Sequence, residues 1–326
     1  MKKQAWQTAL ADLITDPQEL WQLLDLDKEL LAGAIEATKQ FPLKAPRNFV
    51  TRMQKGNAQD PLLLQVLPHG LELNQVPGYS NDPLAEIDVN PVPGLLHKYQ
   101  GRVLVTLTSA CAVHCRYCFR RHFPYTDNNP GSRGWEKIMA YIEADTSISE
   151  VILSGGDPLT VNDRVLHAFS AALANISHLK RLRIHSRLPV VLPERITDEF
   201  VGWLRALQLE TVIVIHANHP NEINDAVRSA ILKLRHADIM LLNQSVLLKS
   251  VNDNVAVLKE LSESLFAIGV LPYYLHVLDK VDGAAHFDIS RDRAKQLAEE
   301  LRKQLPGYLV PRLVCEEAGA ESKHDV

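Results

Sequence analysis

This sequence lacks an excess of charge of either sign. Its 326 residues include 35 Lys and Arg against 39 Asp and Glu, for a formal net charge of -4 at pH 7. Without a basic surplus, the protein has no field that would draw it to nucleic acid or to an anionic membrane surface. We therefore expect neither among its partners.

Long hydrophobic runs and a disulfide framework are missing as well. No uncharged apolar stretch reaches the roughly 20 residues that a membrane-spanning helix needs. The N-terminal segment MKKQAWQTALADL lacks both the apolar core and the small-residue cleavage site of a secretory signal. Only four cysteines are present, three of them between positions 111 and 118, which is unlike a disulfide-stapled secreted domain. These absences predict a location in the reducing cytoplasm.

The clustered cysteines are the most informative feature that is present. Cys111, Cys115 and Cys118 form a CxxxCxxC pattern within TSACAVHCRYCFRRHF, residues 108–123. They follow the apolar run 102–107, which predicts a β-strand. Three thiolates on one short loop can hold three irons of a cubane cluster. The fourth iron then has no protein ligand and is open to a small molecule that receives an electron.

Two plainer interpretations of these cysteines remain open. With His114 between them, they could form a Cys3His zinc site in a non-catalytic adaptor. Structural zinc sites, however, usually take their ligands from two separated pairs, whereas here all the candidate ligands lie on one loop. The cysteines could also be unrelated buried thiols, which is less expected when three of only four lie together.

Four regions follow from the pattern of apolar and turn-forming residues. Residues 1–80 carry helical apolar stripes and a helix start at Asp16-Pro17, which predicts an N-terminal helical region. Residues 81–101 predict an irregular connection. From 102 to 310, a short strand, a polar loop and an amphipathic helix recur six times, and 311–326 remain as a C-terminal segment. The predicted strands are 102–108, 151–156, 181–187, 211–217, 239–245 and 271–277.

This alternation predicts an α/β fold in which parallel strands are joined by right-handed crossovers. Six units are two fewer than in a complete (β/α)8 barrel. In such folds the functional side chains lie at the C-terminal ends of the strands and in the loops that follow them. The cysteine loop and the segment SGGD at 154–157 both occupy such positions.

Several short segments together resemble one family. The CxxxCxxC loop and the segments CRYCFRR, SGGDPL, HPNEI, NQSVLL and PYYLHVLD are similar to those of the lysine 2,3-aminomutase family of radical S-adenosylmethionine (SAM) enzymes. The resemblance extends from about Asp82 to Lys323. It implies a partial, TIM-like (β/α)6 barrel, and it implies three cofactors: a [4Fe-4S] cluster on the three cysteines, SAM and pyridoxal 5′-phosphate (PLP).

The resemblance assigns a second group of residues to SAM. The segment Ser154, Gly155, Gly156 and Asp157 would receive the amino end of its methionine part. Its two glycines allow close backbone approach to a ligand, although the same segment is also a plausible βα turn with Asp157 starting a helix. By the same resemblance, Tyr117 would lie near the adenine and Gln244 would bind the ribose.

The resemblance assigns other residues to PLP. Lys323 would hold its aldehyde as a Schiff base, although without the resemblance this position is typical of a surface lysine. Arg102 would contact the phosphate with Lys98 and Tyr99 nearby, and Lys98 stands where the family has arginine. His216 would lie close to the cofactor.

Lysine itself would be held at its two charged ends. The loop contains several arginines, Arg116, Arg120 and Arg121, whose guanidinium groups suit carboxylates and phosphates. By the resemblance, Arg120 would bind the α-carboxylate of the substrate and Asp279 its distal ammonium. The second acidic partner would be Glu316, which is one methylene longer than the aspartate of the family.

The implied activity is that of an isomerase, an L-lysine 2,3-aminomutase that converts (S)-α-lysine into (R)-β-lysine. The implied partners are a reducing electron donor such as flavodoxin or ferredoxin, and elongation factor P with its lysyl ligase. A homo-oligomer is also implied. One alternative is a radical SAM enzyme that acts on a peptide or RNA without PLP, although the basic charge usual for RNA binding is absent.

Overall fold

The computed structural model describes residues 4–125, 128 and 131–326. Its N-terminal region is helical, as predicted, and also contains a small antiparallel sheet. Asp16 caps the second helix by accepting a hydrogen bond from the Gln18 backbone N–H at 2.9 Å. Residues 1–3 of the predicted region lie outside the described residues. The elements are α1 (Ala5–Ala11), β1 (Leu13–Ile14), α2 (Pro17–Leu24), α3 (Leu31–Gln40), β2 (Ala45–Pro46), α4 (Arg47–Val50) and α5 (Pro61–Leu64).

In the described part of the chain, the remaining strands form a single sheet of nine. Their order across the sheet follows their order in the chain, so each strand pairs with its sequence neighbours. The strands are β3 (Leu95–Tyr99), β4 (Arg102–Thr106), β5 (Glu150–Ser154), β6 (Arg181–Ser186), β7 (Glu210–Ile215), β8 (Met240–Val246), β9 (Leu271–His276), β10 (Arg312–Cys315) and β11 (His324–Asp325).

The strands β4 to β9 are parallel, and each matches one of the six predicted strands to within two residues at either end. The predicted α/β fold with six strand–helix units is therefore confirmed. The helices that follow these strands are α6 (Gly131–Ala144), α7 (Asp163–Ala174), α8 (Leu188–Val191), α9 (Asp198–Ala206), α10 (Asp225–His236), α11 (Val255–Ala267) and α12 (Arg291–Gln304).

The helices pack on the sheet through the apolar stripes seen in the sequence. On α10, for example, Val227, Ile231 and Leu234 recur at helical spacing and are all fully buried. Among the described helices, none has the length and apolar character required to cross a membrane. Short 3-10 helices complete the connections: Lys28–Leu30, Gly70–Leu73, Pro158–Thr160, Pro193–Arg195, Pro220–Glu222, Ala285–Phe287 and Gly307–Leu309.

The strands at the two edges of the sheet, β3 on one side and β10 and β11 on the other, were not predicted. Residues 81–101 were expected to be irregular, but β3 forms within them and pairs antiparallel with β4. The reversal is tight because Gly101 adopts a φ of 75°, which side-chain-bearing residues rarely occupy. At the other end, β10 pairs parallel with β9, and β11 folds back antiparallel on β10. This pairing anchors the backbone directly after Lys323.

Candidate active site

The loops at the C-terminal ends of the parallel strands surround a cavity of about 600 Å³. This volume lies within the usual range for small-molecule sites, roughly 300–1,000 Å³. The structure brings all the predicted site residues to its walls. They are Lys98, Tyr99, Arg102, Cys111, Cys115, Tyr117, Cys118, Arg120, Ser154, Gly155, Gly156, Asp157, His216, Gln244, Asp279, Glu316 and Lys323.

The cysteine loop is held in place by the N-terminal region. The backbone N–H of His114 donates to the Lys44 carbonyl at 3.0 Å, and that of Arg116 donates to the Gln65 carbonyl at 2.9 Å. His114 Nδ1 also lies 2.7 Å from the Pro42 carbonyl oxygen. The N-terminal region therefore shapes the loop that carries the cysteines.

Two of the arginines in this loop have a structural role. Arg116 donates from Nε and Nη2 to the two carboxylate oxygens of Glu72, at 2.8 and 2.5 Å, and Arg121 donates to one of them at 2.7 Å. All three side chains are almost fully buried. Arg116 and Arg121, to which the sequence assigned no ligand, are therefore engaged by Glu72 and do not face the cavity with free donors for a carboxylate or phosphate.

The three cysteines of the loop are free thiols beside one another. Burial, followed by neighbouring charges, raises the pKa of Cys111 well above its ordinary value, and burial raises the pKa of Cys118 to about 11. Three thiolates would therefore repel one another here unless positive charge offset them, as the irons of a cluster would.

The arrangement of the cysteines is not that of a closed single-ion site. Within the described residues, no three His, Cys, Asp or Glu side chains form a group that could hold one metal ion. A cubane does not need such convergence, because each cysteine binds a different iron atom. His114, the fourth ligand of the zinc interpretation, instead stacks on Phe41 with ring centroids 4.8 Å apart.

The segment 154–157 packs backbone to backbone against the cysteine loop. The N–H of Gly156 donates to the Thr108 carbonyl at 3.0 Å, and the N–H of Asp157 donates to the Ala110 carbonyl at 2.8 Å. A Cβ on Gly156 would lie only 2.6 Å from the carbonyl oxygen of Ala110, so only glycine allows this approach. The two loops thus form one continuous wall of the cavity.

The Asp157 carboxylate accepts hydrogen bonds from neighbouring backbone and side-chain groups of the protein. It accepts hydrogen bonds from the Leu159 N–H at 3.0 Å, from Ser186 Oγ at 2.7 Å and from the Arg187 N–H at 2.7 Å. It therefore caps the short helix after β5, as the turn interpretation expected, and also links that loop to the one after β6. Its pKa is nevertheless raised, because desolvation by burial outweighs these bonds.

Tyr117 and His216 form a buried polar pair at the cavity wall. The Tyr117 hydroxyl lies 2.8 Å from His216 Nε2, and it accepts a hydrogen bond from Asn218 Nδ2 at 2.7 Å. Burial lowers the pKa of His216 well below its ordinary value, so its imidazole is neutral near pH 7. Gln65, from the N-terminal region, accepts from the Tyr117 hydroxyl at 3.3 Å and was not expected from the sequence.

A cluster of cations also lines the cavity. Glu316 binds Lys98 at 2.7 Å through one oxygen and Lys323 through the other. Arg102 packs on the ring of Tyr99, with Cζ 4.7 Å from its centroid. Burial alone would raise the pKa of Glu316, but the two ammonium groups hold it well below its ordinary value.

The remaining polar walls are formed by Asp279 and Arg120. Burial, with a contribution from the nearby Glu316 charge, raises the pKa of Asp279 to about 7. Arg120 donates from Nε and Nη2 to both carboxylate oxygens of Glu86, at 2.6 and 2.7 Å, and from Nη1 to Ser154 Oγ at 3.2 Å. Glu86 lies in the connection before the sheet, where no sequence pattern marked it as part of a site.

Comparisons with known proteins show the family to which the chain belongs. The model of the radical SAM superfamily matches residues 105–261. The chain is 51% identical to L-lysine 2,3-aminomutase of Escherichia coli strain K12, over 98% of this chain and 94% of that protein. It is 50% identical to the protein of the same name from Haemophilus influenzae, over 99% and 95%. A solved radical SAM methyltransferase from Sphaerobacter thermophilus has a TM-score of 0.48 and 16% identity over 68% of either chain, a similarity too low to support an inference.

Proposed function

Because the chain belongs to the L-lysine 2,3-aminomutase family of the radical SAM superfamily, we propose that it converts (S)-α-lysine into (R)-β-lysine. The expected enzyme class, an isomerase, and the expected cofactors, a [4Fe-4S] cluster, SAM and PLP, follow from membership in this family. The observation that carries the proposal is that one cavity unites three free cysteines with the Lys323 amine and with charges of both signs.

The cysteine end of the cavity fits a cubane cluster and SAM. The bound cluster would supply an electron to SAM, which yields the radical that removes hydrogen from the substrate. Cys111, Cys115 and Cys118 would each hold one iron, and the closely packed Gly155-Gly156 backbone would approach the methionine part of SAM. Tyr117 and Gln244 line the same cavity and would face the adenine and the ribose.

The cationic part of the cavity wall fits a phosphorylated aldehyde cofactor. Lys98, Arg102 and Lys323 line the cavity together with Glu316 and Asp279, so three cations face two neighbouring carboxylates. A phosphate would balance this surplus, with Lys98 and Arg102 as its binding groups. PLP would supply a carbonyl that carries the migrating nitrogen, and the Lys323 amine would hold that carbonyl. His216, neutral and 2.8 Å from the Tyr117 hydroxyl, lines the same cavity and would lie close to this cofactor.

The substrate would be held between Arg120 and Asp279. Arg120 has five N–H donors, and Glu86 and Ser154 occupy three of them, which leaves two for an α-carboxylate. Asp279 would accept the distal ammonium together with Glu316. Holding both ends fixes the position of the carbons between them, which is the main requirement for a specific hydrogen abstraction.

The same proposal covers the acceptor of β-lysine, the electron donor, the oligomeric state and the location of the enzyme. The resemblance of the sequence supports transfer of β-lysine to elongation factor P by its lysyl ligase. It also supports reduction of the cluster by flavodoxin or ferredoxin, and a homo-oligomer in the cytoplasm. The transfer of β-lysine would be tested by purifying elongation factor P from cell extract together with its ligase and measuring the mass of the factor.

One reaction tests the proposed activity directly. The reconstituted protein is incubated without oxygen in the presence of a reductant, SAM, PLP and L-lysine, and the products are separated by chiral chromatography. We expect (R)-β-lysine, and we expect none when either SAM or PLP is omitted. Consumption of SAM without formation of β-lysine by an iron-loaded, PLP-loaded protein would contradict the proposal. Cleavage of SAM by a protein that binds no PLP would support a peptide- or RNA-modifying enzyme instead.

A further inference from the structure

Arg187 touches one of the three clustered cysteines. It lies directly after β6, its side chain is 5% exposed, and its Nη1 donates to Cys115 Sγ at 2.7 Å. The rule that functional residues follow barrel strands applies to its position, yet neither the sequence motifs nor the assigned site residues include it. The contact joins a permanent cation to a sulfur atom that would bind iron.

The guanidinium is fixed in this position from several sides. Its Nη2 donates to Gln65 Oε1 at 2.6 Å and to Glu222 Oε2 at 3.1 Å. Its own backbone N–H is bound by Asp157 at 2.7 Å. The side chain is therefore attached to the N-terminal region and to the loop after β7, while the backbone is attached to the SGGD loop, so the guanidinium has little freedom to turn away from the sulfur.

The other two cysteines have a different environment. Cys111 lies near the carboxylate of Asp157, and Cys118 lies near the guanidinium groups of Arg120 and Arg121. Among the described residues, Cys115 is the member of the trio whose sulfur receives a hydrogen bond from a charged side chain. The site is therefore asymmetric, because a guanidinium donates directly to the sulfur of Cys115.

Such a contact has a definite consequence for electron transfer. Reduction adds negative charge to an iron–sulfur cluster, and hydrogen bonds or cations at its sulfur ligands stabilise that added charge. In a buried site the effect is large, because little water screens it. We propose that Arg187 is a positioning residue that raises the reduction potential of the cluster through Cys115, and so eases its reduction by a low-potential donor. This inference rests on the proposed function, because it requires the cluster.

The inference is tested by the midpoint potential of the reconstituted cluster, measured without SAM by redox titration followed by electron paramagnetic resonance. Arg187→Met removes the charge and the donor. Arg187→Met/Glu222→Gln also removes the carboxylate that would otherwise remain buried without its cation. Arg183→Met is the matched control, because Arg183 lines the same cavity but pairs with Glu150.

We expect both Arg187 variants to have a lower potential. At the wild-type midpoint, the ratio of reduced to oxidised cluster should fall about tenfold, which corresponds to about 59 mV for a one-electron couple. The control should stay within the error of the titration. An unchanged midpoint in the iron-loaded double variant would overturn the inference, and so would failure of both folded variants to bind iron, which would assign Arg187 to assembly. If the wild-type protein forms no cluster, the proposed function itself fails.

Discussion

Lys98 Nζ lies 2.7 Å from a carboxylate oxygen of Glu316, although 218 residues separate the two in the chain. The other oxygen of the same carboxylate binds Lys323. The pair connects the strand β3, which precedes the barrel, with the segment that follows it. From the resemblance we expected other residues of the family at both positions, and the structure places Lys98 and Glu316 in contact with each other.

The first prediction concerns Lys323, which binds the same carboxylate, and the attachment of PLP. Lys323→Ala removes the amine proposed to hold the aldehyde, so the protein should lose the visible absorbance of covalently bound PLP while it keeps its iron content. Lys280→Ala, which changes an exposed lysine in the loop after β9, should keep both. An unaltered PLP absorbance in the Lys323→Ala protein would show that another residue holds the cofactor.

A second prediction concerns the pH dependence of lysine binding. Burial and the Glu316 charge raise the pKa of Asp279 to about 7, so its carboxylate is ionised only above that pH. The KM for lysine should therefore rise as the pH falls through about 7. Asp279→Asn should raise KM above about pH 7, where the wild-type carboxylate is charged, and should abolish this dependence, whereas Asp282→Asn, in the same loop, should retain it. Steady-state kinetics across this range provide the measurement.

A third prediction concerns the effect of the same group on stability. The folded protein retains a proton on Asp279 that the unfolded chain releases above its ordinary pKa of 3.8. The stabilising contribution is therefore complete below about pH 4 and is lost as the pH rises through about 7. Urea unfolding of the apoprotein should show a smaller fall in stability over this window for Asp279→Asn than for the wild type. If the stability of the variant and that of the wild type fell equally with pH, the raised pKa of Asp279 would be contradicted.

A fourth prediction concerns the buried pair of Arg120 and Glu86, whose side chains are each 7% exposed. Glu86→Gln would leave the Arg120 cation buried without its counter-charge, which typically costs about 3–5 kcal/mol of unfolding free energy. The KM for lysine should also rise, because Glu86 orients the guanidinium. Glu36→Gln, in an exposed pair with Lys39, is the control and should change neither quantity. Equal effects of the two substitutions on stability and on KM would contradict the proposed role of Glu86 in orienting Arg120.

A fifth prediction compares two glycines. Gly156→Ala would place a methyl group against the backbone of the cysteine loop, so it should destabilise the protein by about 1–3 kcal/mol and reduce the iron bound after reconstitution. At Gly202, in the middle of α9, no neighbour lies within 4 Å of an added Cβ. Gly202→Ala should therefore keep the iron content and stabilise the helix by up to about 1 kcal/mol. Normal iron content in Gly156→Ala would contradict the proposed contact of the two loops.

The regular elements of the fold were largely predictable. Strands such as β6 and helices such as α10 are encoded by apolar residues at strand or helix spacing, which is a local property of the chain. The strand β3 was missed because its segment lies among prolines and glycines, and its pairing depends on the turn at Gly101 and on the neighbouring β4. Elements whose formation depends on a partner strand leave a weaker local signal.

By itself, the sequence determined the six strand–helix units, the cysteine loop and the residues that would surround one cavity, because local spacing and short motifs carry that information. Only the tertiary structure decided which charges neutralise one another. Glu72 binds Arg116 and Arg121, Glu86 binds Arg120, and Gln65 and Glu222 direct Arg187 to Cys115. Such pairings form between segments that are distant in the chain, and they depend on the depth of burial and the direction of each side chain, which no local pattern records.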